Sequence, residues 1–309
     1  MTNDANPASA LDIVVVPRVH DLGDHFEVRR ALPSQQKRMV GPFVFLDQMG
    51  PHRFLPGSGL DVRPHPHIGL ATVSYLFDGQ IMHRDSVGSN QAIAPGDVNW
   101  MTAGRGIVHS ERTASSLRPA GSPLFGLQCW VALPTAHEEV APSFLHVGAG
   151  ELPVEQYDGV SARIIAGNFF GRRSPVPVHS DLFYVDVIVE AGARLQIPAE
   201  YAEQALYIVS GSIDLGHDGV HDAGQMLVLG AGRALTLRNS STGPARLMLL
   251  GGERLDGPRY LWWNFVSSSE ERIEQASRDW RQQKFDRVPD DEEEFIPLPE
   301  MHGRPVRTP

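Results

Sequence analysis

The chain has 309 residues, which is enough for one large domain or two of ordinary size, and we expect two. Acidic residues outnumber basic ones by 37 to 27 for a net charge of −10, and no stripe of Lys and Arg interrupts that balance, so direct binding to nucleic acid is not expected. The single cysteine, Cys129, excludes an internal disulfide.

The N-terminal segment "MTNDANPASA" is polar and lacks the charged and apolar regions of a secretory signal. No run of 18 apolar residues occurs in the sequence, which argues against a membrane-spanning helix. We therefore expect a cytoplasmic protein that does not enter a membrane.

The first half of the chain predicts short strands separated by glycine and proline turns. The strand candidates are "DIVVVPRV", "GPFVFLDQM", "ATVSYLFDG", "GDVNWMTAG" and "FGLQCWVALP", and the turns between them include "LPGSG" and "APGD". Helical periodicity is nearly absent. These features predict an all-β domain over residues 11–140.

A polar stretch at residues 134–160 is interpreted as a linker, after which the strand pattern resumes. The segment "ATVSYLFDGQI" (71–81) can be laid over "EQALYIVSGSI" (203–213), since each is a strand that ends in a glycine turn. This weak internal repeat predicts a second domain of similar build over residues 141–285.

One segment, "SSSEERIEQASRDWRQQKF" (267–285), is typical of a helix, with a serine cap, glutamates in its first turn and basic residues in its last. The C-terminal tail, residues 286–309, is acidic and then proline-rich. We expect it to extend over the surface or to remain disordered.

Two pairs of residues have the types and spacing expected of metal ligands. His65 and His67 are two positions apart in "PHPHI", where Pro66 favours an extended backbone, so both side chains point to one face of a strand. His109 and Glu111 repeat this spacing about forty residues later. If the two strands are neighbours, three imidazoles and one carboxylate converge on a point.

Three nitrogen ligands and one oxygen ligand suit a borderline divalent metal, and Fe(II) is the first choice because mixed His and carboxylate sets are typical of non-haem iron. Zinc also fits, as do Mn, Ni, Co and Cu, although a closed structural zinc site more often contains cysteine. A single His-x-His is more often a pair of ordinary strand residues. The second pair favours the metal site.

Other polar residues support weaker hypotheses. His83 and Asp85 are also two positions apart, and they either line the mouth of a barrel or cap a turn. Gln128 and Trp130 share one face of a strand, on which Trp130 is predicted to pack in the core, and Cys129 lies on the other face as a buried small residue without a catalytic role.

Several motifs together resemble the signature of the pirins, a branch of the cupin superfamily. They are "HPHIGLATVSYLFDG", "HRDSVGS" and "PGDVNWMTAGRGIVHSE", with "GPFVFLDQM" and "FGLQCWV" fitting the same pattern. The resemblance covers residues from about 15 to 285. It implies an all-β chain with two tandem cupin barrels (double-stranded β-helices, jelly-roll-like) and a C-terminal helix. It also implies a mononuclear metal, usually Fe, in the N-terminal barrel, held by His65, His67, His109 and Glu111.

The chain departs from the common signature HPHRGFE, because Ile68, Leu70 and Ala71 stand in place of Arg, Phe and Glu. The four ligands are retained, but a charge pair that could tune the pocket is missing. In the second barrel the segment aligned with the first ligand strand has Glu200, Ala202 and Gln204 in place of histidines. We expect that barrel to lack metal ligands.

The resemblance implies two classes of function. The first is an Fe²⁺-dependent dioxygenase of the quercetinase type, which cleaves a flavonol or a related small aromatic with O₂ and uses Glu111 as the base. The alternative is a non-catalytic, metal-containing binding or redox-sensing module that regulates a transcription factor or a metabolic enzyme through a protein partner. We expect a monomer in either case.

Overall fold

Nearly all regular structure in the computed structural model is β-strand, and the structure describes residues 9–21, 26–300 and 305–308. The first half of the chain supplies β1 Leu11–Val15, β2 Arg18–Asp21, β3 Glu27–Leu32, β4 Phe43–Arg53, β5 Asp61–His67, β6 Leu70–Gly79, β7 Ile81–Asp85, β8 Asn90–Ile93, β9 Val98–Thr102, β10 Ile107–Arg112, β11 Pro123–Ala132 and β12 Ser143–Val147. The second half supplies β13 Val154–Tyr157, β14 Val160–Phe169, β15 Arg172–Arg173, β16 Leu182–Val189, β17 Arg194–Ile197, β18 Glu203–Ser210, β19 Ser212–Asp214, β20 Val220–Asp222, β21 Met226–Leu229, β22 Leu235–Asn239, β23 Ala245–Gly252, β24 Tyr260–Trp262, β25 Phe265–Ser267 and β26 Val306–Arg307. Helix α1 spans Glu270–Arg281, and short 3-10 turns lie at Arg118–Ala120, Thr135–His137 and Gly216–Asp218.

The two halves form barrels with the same strand order. In the N-terminal barrel a large sheet, β12-β9-β6-β11-β4-β3-β2, faces a small sheet, β5-β10-β7-β8. In the C-terminal barrel the large sheet is β1-β21-β18-β23-β16-β14-β13 and the small sheet is β17-β22-β19-β20. The repeated order confirms the predicted pair of tandem cupin barrels, and residues 71–81 and 203–213 occupy matching places in it.

The outermost strand of each large sheet comes from beyond the expected domain boundary. Leu11–Val15 pairs with β21 of the C-terminal barrel, whereas Ser143–Val147 pairs with β9 of the N-terminal barrel. The division into residues 11–140 and 141–285 stays a prediction, but strand pairing crosses it in both directions. Separating the chain there would expose a sheet edge in each barrel.

The large sheets of the two barrels pack face to face around a shared apolar core. Hydrogen bonds that cross this core include those from Tyr75 Oη to Asp186 Oδ2 at 2.8 Å and from Tyr207 Oη to Gln48 Oε1 at 2.7 Å. Cys129 lies within it and is fully buried, as predicted, and burial raises the pKa of its thiol to about 12. Such a thiol stays protonated at neutral pH.

The predicted helix is confirmed over Glu270–Arg281, and Ser269 is its cap, accepting a hydrogen bond from the Arg272 amide at 3.3 Å. Ile273 and Trp280 on its buried face pack in one cluster with Ile68 and Phe265. In the described part of the chain, no helix has the length and apolar character needed to cross a bilayer.

The C-terminal tail follows the outer side of the N-terminal barrel. Arg112 on β10 pairs with Asp291 at 2.7 Å and with Glu294 at 2.8 Å. Further on, the Ile296 amide donates to the Pro64 carbonyl at 2.8 Å, and the Trp280 indole donates to the Ile296 carbonyl at 3.0 Å. The described part of the acidic tail is thus tied to both strands that carry the predicted ligands.

Candidate metal centre

Antiparallel pairing of β5 with β10 brings the three predicted histidines together. His109 lies opposite His65, and Ile107 lies opposite His67, so all three imidazoles point into the barrel. One ring nitrogen from each histidine lies within 4.8 Å of the others, and all three side chains are buried. In the described part of the chain this is the one group of three or more potential metal-binding side chains so close together.

Glu111 lies beside this group and is not part of it. The register shifts between His109 and Glu111, so that Glu111 is opposite Val62. Its buried carboxylate accepts hydrogen bonds from Ser74 Oγ at 3.0 Å and from Gln128 Nε2 at 3.2 Å. It lines the same cavity as His65 and His67. The role of Glu111 as a fourth ligand stays a prediction.

Backbone carbonyls orient two of the rings. His65 Nδ1 donates to the Arg63 carbonyl at 2.8 Å, and His67 Nδ1 donates to the Asn264 carbonyl at 3.1 Å. Because a carbonyl oxygen only accepts, the hydrogen of each neutral ring is assigned to Nδ1 and the lone pair to Nε2. Both rings therefore present the nitrogen with which imidazole binds a metal.

The electrostatics of the three rings favour a cation between them. Burial, followed by the neighbouring histidines, holds the pKa values of His67 and His109 well below the ordinary value, and burial also lowers the pKa of His65. The rings are therefore neutral at pH 7. His67 Nε2 and His109 Nε2 face each other at 3.1 Å, and a divalent metal is a group that both lone pairs can bind. The donor set fits a borderline divalent metal.

A cavity of about 360 Å³ opens beside these residues. One wall is a stacked pair of rings, Phe45 and Trp130, with centroids 4.1 Å apart and an interplanar angle of 12°. Trp130 also meets His67 edge-on at 5.1 Å. The residue predicted to pack in the core therefore also forms a wall of the cavity.

Several residues that line the cavity were not identified by the sequence analysis. Arg30 bonds both oxygens of Asp47, at 2.8 and 2.7 Å, and its guanidinium lies 4.5 Å from the centre of the Phe45 ring. The alternation of Phe45 and Asp47 in "GPFVFLDQM" could have placed them on one face of a strand. Ile296 also lines the cavity. No local sequence pattern predicts this position, because the C-terminal tail reaches the cavity only in the folded chain.

The positions that differ from the common signature lie in apolar surroundings. Ile68 packs with Phe265 and helix α1, and Ala71 is buried in the core between the barrels. Neither lines the cavity. Between them Gly69 has a φ of +68°, and a Cβ there would stand 1.9 Å from the Val266 carbonyl oxygen, so only glycine fits.

The sequence alignment of the second barrel is wrong. By sheet order β17 corresponds to β5, and the counterparts of His65 and His67 are Leu195 and Ile197, not Glu200, Ala202 and Gln204. Gln204 instead braces its own loop through a bond from Nε2 to the Pro198 carbonyl at 2.9 Å. The turn that precedes β18 is longer than the turn before β6, which displaced the alignment.

Comparisons with known proteins agree with the fold. The family model described as Pirin matches residues 25–131, and the model described as Pirin C-terminal cupin domain matches residues 184–286. A pirin-like protein of Caulobacter vibrioides is 52% identical over 294 residues, covering 94% of this chain and 100% of the relative. Human pirin is 33% identical over 278 residues, covering 87% of this chain and 91% of the relative.

A solved structure shows the same architecture over most of the chain. The crystal structure of quercetin 2,3-dioxygenase from Acinetobacter baumannii is similar with a TM-score of 0.86 and 35% identity, covering 95% of this chain and 97% of that one. The two family models, the identity to pirin-like proteins and the repeated barrels all lead to one conclusion: the chain belongs to the pirin family.

Proposed function

We propose that the protein is a metal-dependent dioxygenase of the quercetin 2,3-dioxygenase type, which acts on a flavonol or a related small aromatic with O₂. The observation that carries the proposal is the group of three neutral, buried imidazoles whose Nε2 atoms converge beside an aromatic-walled cavity. The similarity to the Acinetobacter dioxygenase supports it. His65, His67 and His109 would hold the metal, and Glu111 would add a carboxylate.

Fe(II) is the metal proposed, with Zn, Mn, Ni, Co and Cu as the other divalent ions that this donor set accepts. When bound, the metal would supply Lewis-acid and dioxygen chemistry that amino-acid side chains lack. The protein would keep the three imidazoles neutral and oriented, through the carbonyls of Arg63 and Asn264.

Glu111 is proposed as the base that removes the proton from a substrate hydroxyl. Its carboxylate borders the cavity, and the bonds from Ser74 and Gln128 hold it in one orientation. A base must lie within hydrogen-bonding reach of the proton that it takes. A hydroxyl bound between the histidines and Glu111 meets that condition.

The remaining walls suit a flat aromatic molecule. The stacked Phe45 and Trp130 rings offer an apolar surface that excludes water from one side. A cavity of about 360 Å³ lies at the small end of the range for ligand sites, which favours a substrate of few rings.

The test is turnover by metal-loaded protein. The full chain is reconstituted with Fe(II) without oxygen, its metal content is measured, and quercetin consumption is then followed in air. We expect consumption by the parent and none by His65→Ala or His109→Ala, with His146→Ala as the control, because His146 bonds Asn99 and is not part of the histidine group.

The same experiment also distinguishes the alternative function, a non-catalytic module. Stoichiometric metal in the parent without consumption of any flavonol would favour the non-catalytic binding or redox-sensing module. Full metal occupancy in both His65→Ala and His109→Ala would contradict the site itself.

A further inference from the structure

Two residues behind the histidine group have no part in the function proposed above. His83 and Asp85 lie on β7, where Asp85 is opposite His109 and His83 is opposite Glu111. We propose that Asp85, acting through His83, fixes the position of the ring hydrogen of His109 and so leaves His109 Nε2 free to bind the metal. This inference rests on the metal site of the proposed function, and it makes His83 and Asp85 positioning residues.

Asp85 is an acceptor held in a single orientation. Its side chain is fully buried, and Oδ1 accepts the backbone amides of Val87 at 3.0 Å and Ser89 at 2.9 Å. The other oxygen, Oδ2, lies 3.0 Å from His83 Nε2. A carboxylate only accepts, so His83 Nε2 carries the hydrogen of this bond.

The same reasoning continues to His109. A neutral His83 with its hydrogen on Nε2 has a lone pair on Nδ1, and that atom lies 3.4 Å from His109 Nδ1. His109 therefore donates from Nδ1, and its Nε2 has the lone pair that faces His67. The His83 ring is held in place by stacking on Phe144, with centroids 4.4 Å apart at 15°.

His109 differs in this respect from the other two histidines. His65 and His67 donate from Nδ1 to backbone carbonyls, which no substitution removes. The partner of His109 Nδ1 is a side chain, and a second side chain orients that partner in turn. The hydrogen position of His109 can thus be changed by mutation, in the way that outer-shell carboxylates orient metal-binding histidines elsewhere.

Asp85→Asn should reverse the donor and acceptor roles in the two hydrogen bonds that link Asp85 to His83 and His83 to His109. The amides of Val87 and Ser89 still require an acceptor, so the amide oxygen of the new side chain faces them and its NH₂ faces His83 Nε2. His83 must then accept at Nε2 and donate at Nδ1. His109 would accept at Nδ1 and carry its hydrogen on Nε2, where the metal has to bind.

His83→Phe is a second variant, which removes the hydrogen-bonding partner of His109 instead of reversing its role. A phenyl ring keeps the stacking on Phe144 but offers His109 neither a donor nor an acceptor. His109 is then free to adopt either hydrogen position. We expect a smaller loss of metal affinity than in Asp85→Asn, which holds the ring in the wrong state.

Asp97→Asn is the matched control. Asp97 also accepts two backbone amides, of Ala94 at 3.1 Å and Ala149 at 2.8 Å, and lies 3.8 Å from a histidine, His146. It is not part of the histidine group. Any general cost of replacing a braced carboxylate by an amide should appear equally in this variant.

The experiment has two readouts on the full chain. Affinity for Zn(II) and Co(II) is measured by competition with a chelator, and the ¹⁵N shifts of the His109 ring are recorded on metal-free protein at pH 8.5, well above the ordinary imidazole pKa of about 6.5. We expect Asp85→Asn to weaken metal binding by about 10- to 100-fold and Asp97→Asn by less than about twofold. The shifts should show the hydrogen on Nδ1 in the parent and on Nε2 in Asp85→Asn.

An unchanged affinity and an unchanged nitrogen pattern in Asp85→Asn would overturn the inference. The two readouts also separate it from the proposed function. A parent chain that binds no metal overturns the proposed function, and the nitrogen pattern then decides independently whether Asp85 sets the state of His109.

Discussion

The two barrels share one strand order but have opposite interiors. At the positions of His65, His67, His109 and His83 the C-terminal barrel has Leu195, Ile197, Leu237 and Ile213, all fully or almost fully buried. Asn239 takes the place of Glu111 and bonds the carbonyls of Val189 and Gly243. The same framework therefore holds either a polar site or an apolar core, according to about five side chains.

The difference also shows what a polar interior requires. A buried polar group without a partner is costly, and each of His65, His67 and His109 has a ring nitrogen within hydrogen-bonding distance of a partner. Those partners come from β5, from the segment before β25 and from β7. The leucines and isoleucines at the matching positions of the C-terminal barrel need no such partners, because they are stabilised by burial alone.

The largest expected effect is the loss of metal from the N-terminal barrel. His65→Ala, His67→Ala or His109→Ala each removes a nitrogen ligand, and affinity should fall by about 10³-fold or more, since loss of an outer partner alone costs about 10- to 100-fold. Metal content after dialysis and melting of the apo protein are measured together. The fold should survive, and a variant that keeps one metal per chain would contradict the ligand assignment.

The corresponding substitution in the other barrel should act on stability instead. Leu237→Ala truncates the counterpart of His109 in an apolar cluster, and we expect the free energy of unfolding to fall by about 2–5 kcal/mol. Urea unfolding and metal content measure the two effects. Metal loss as large as in His109→Ala would show that the barrels are not separate in function.

Glu111→Gln tests the chemistry beside the histidines. The amide keeps the shape and one oxygen, so metal remains bound, but the negative charge and the basicity are lost. Flavonol turnover should fall by about 10²-fold if Glu111 is the base. Turnover close to that of the parent, at equal metal content, would remove Glu111 from that role.

The depressed pKa values of the three histidines predict a pH dependence that their leucine and isoleucine counterparts in the C-terminal barrel cannot produce. In the unfolded chain these imidazoles take up protons near pH 6.5, whereas burial keeps His65, His67 and His109 neutral to lower pH in the folded state. The unfolded state therefore binds more protons, and the apo fold should lose up to about 1.4 kcal/mol per pH unit for each histidine as pH falls below 6.5.

Urea unfolding of metal-free protein at several pH values measures this slope. His109→Leu places at this position the residue type of its C-terminal counterpart, Leu237. The dependence of the free energy of unfolding on pH should then be smaller by the contribution of one histidine. An identical slope in the parent and in this variant would contradict the pKa direction given for His109.

The smallest expected effect lies between the barrels. Cys129→Ala removes one sulfur from the shared core, and we expect a loss of about 1–2 kcal/mol in the free energy of unfolding. Metal content and turnover should match those of the parent. Loss of metal would show that the core between the barrels transmits strain to the histidines.

Local patterns in the sequence determined much of the secondary structure and the face on which the candidate ligands lie. The His-x-His and His-x-Glu spacings place side chains on one face of a strand because strand side chains alternate with a period of two. The serine cap and the charges at either end located helix α1, and the glycine turns located the strands. These features depend on neighbours within a few residues, so they can be predicted from the sequence.

Contacts between distant residues needed the tertiary structure. The carbonyl that orients His67 belongs to Asn264, 197 residues further along the chain, and Ile296 reaches the cavity only through the folded tail. The exchange of β1 and β12 between the barrels and the alignment of His65 with Leu195 depend on strand pairing across the chain. Alternation fixes the face on which a side chain lies, but register and packing decide what that side chain meets.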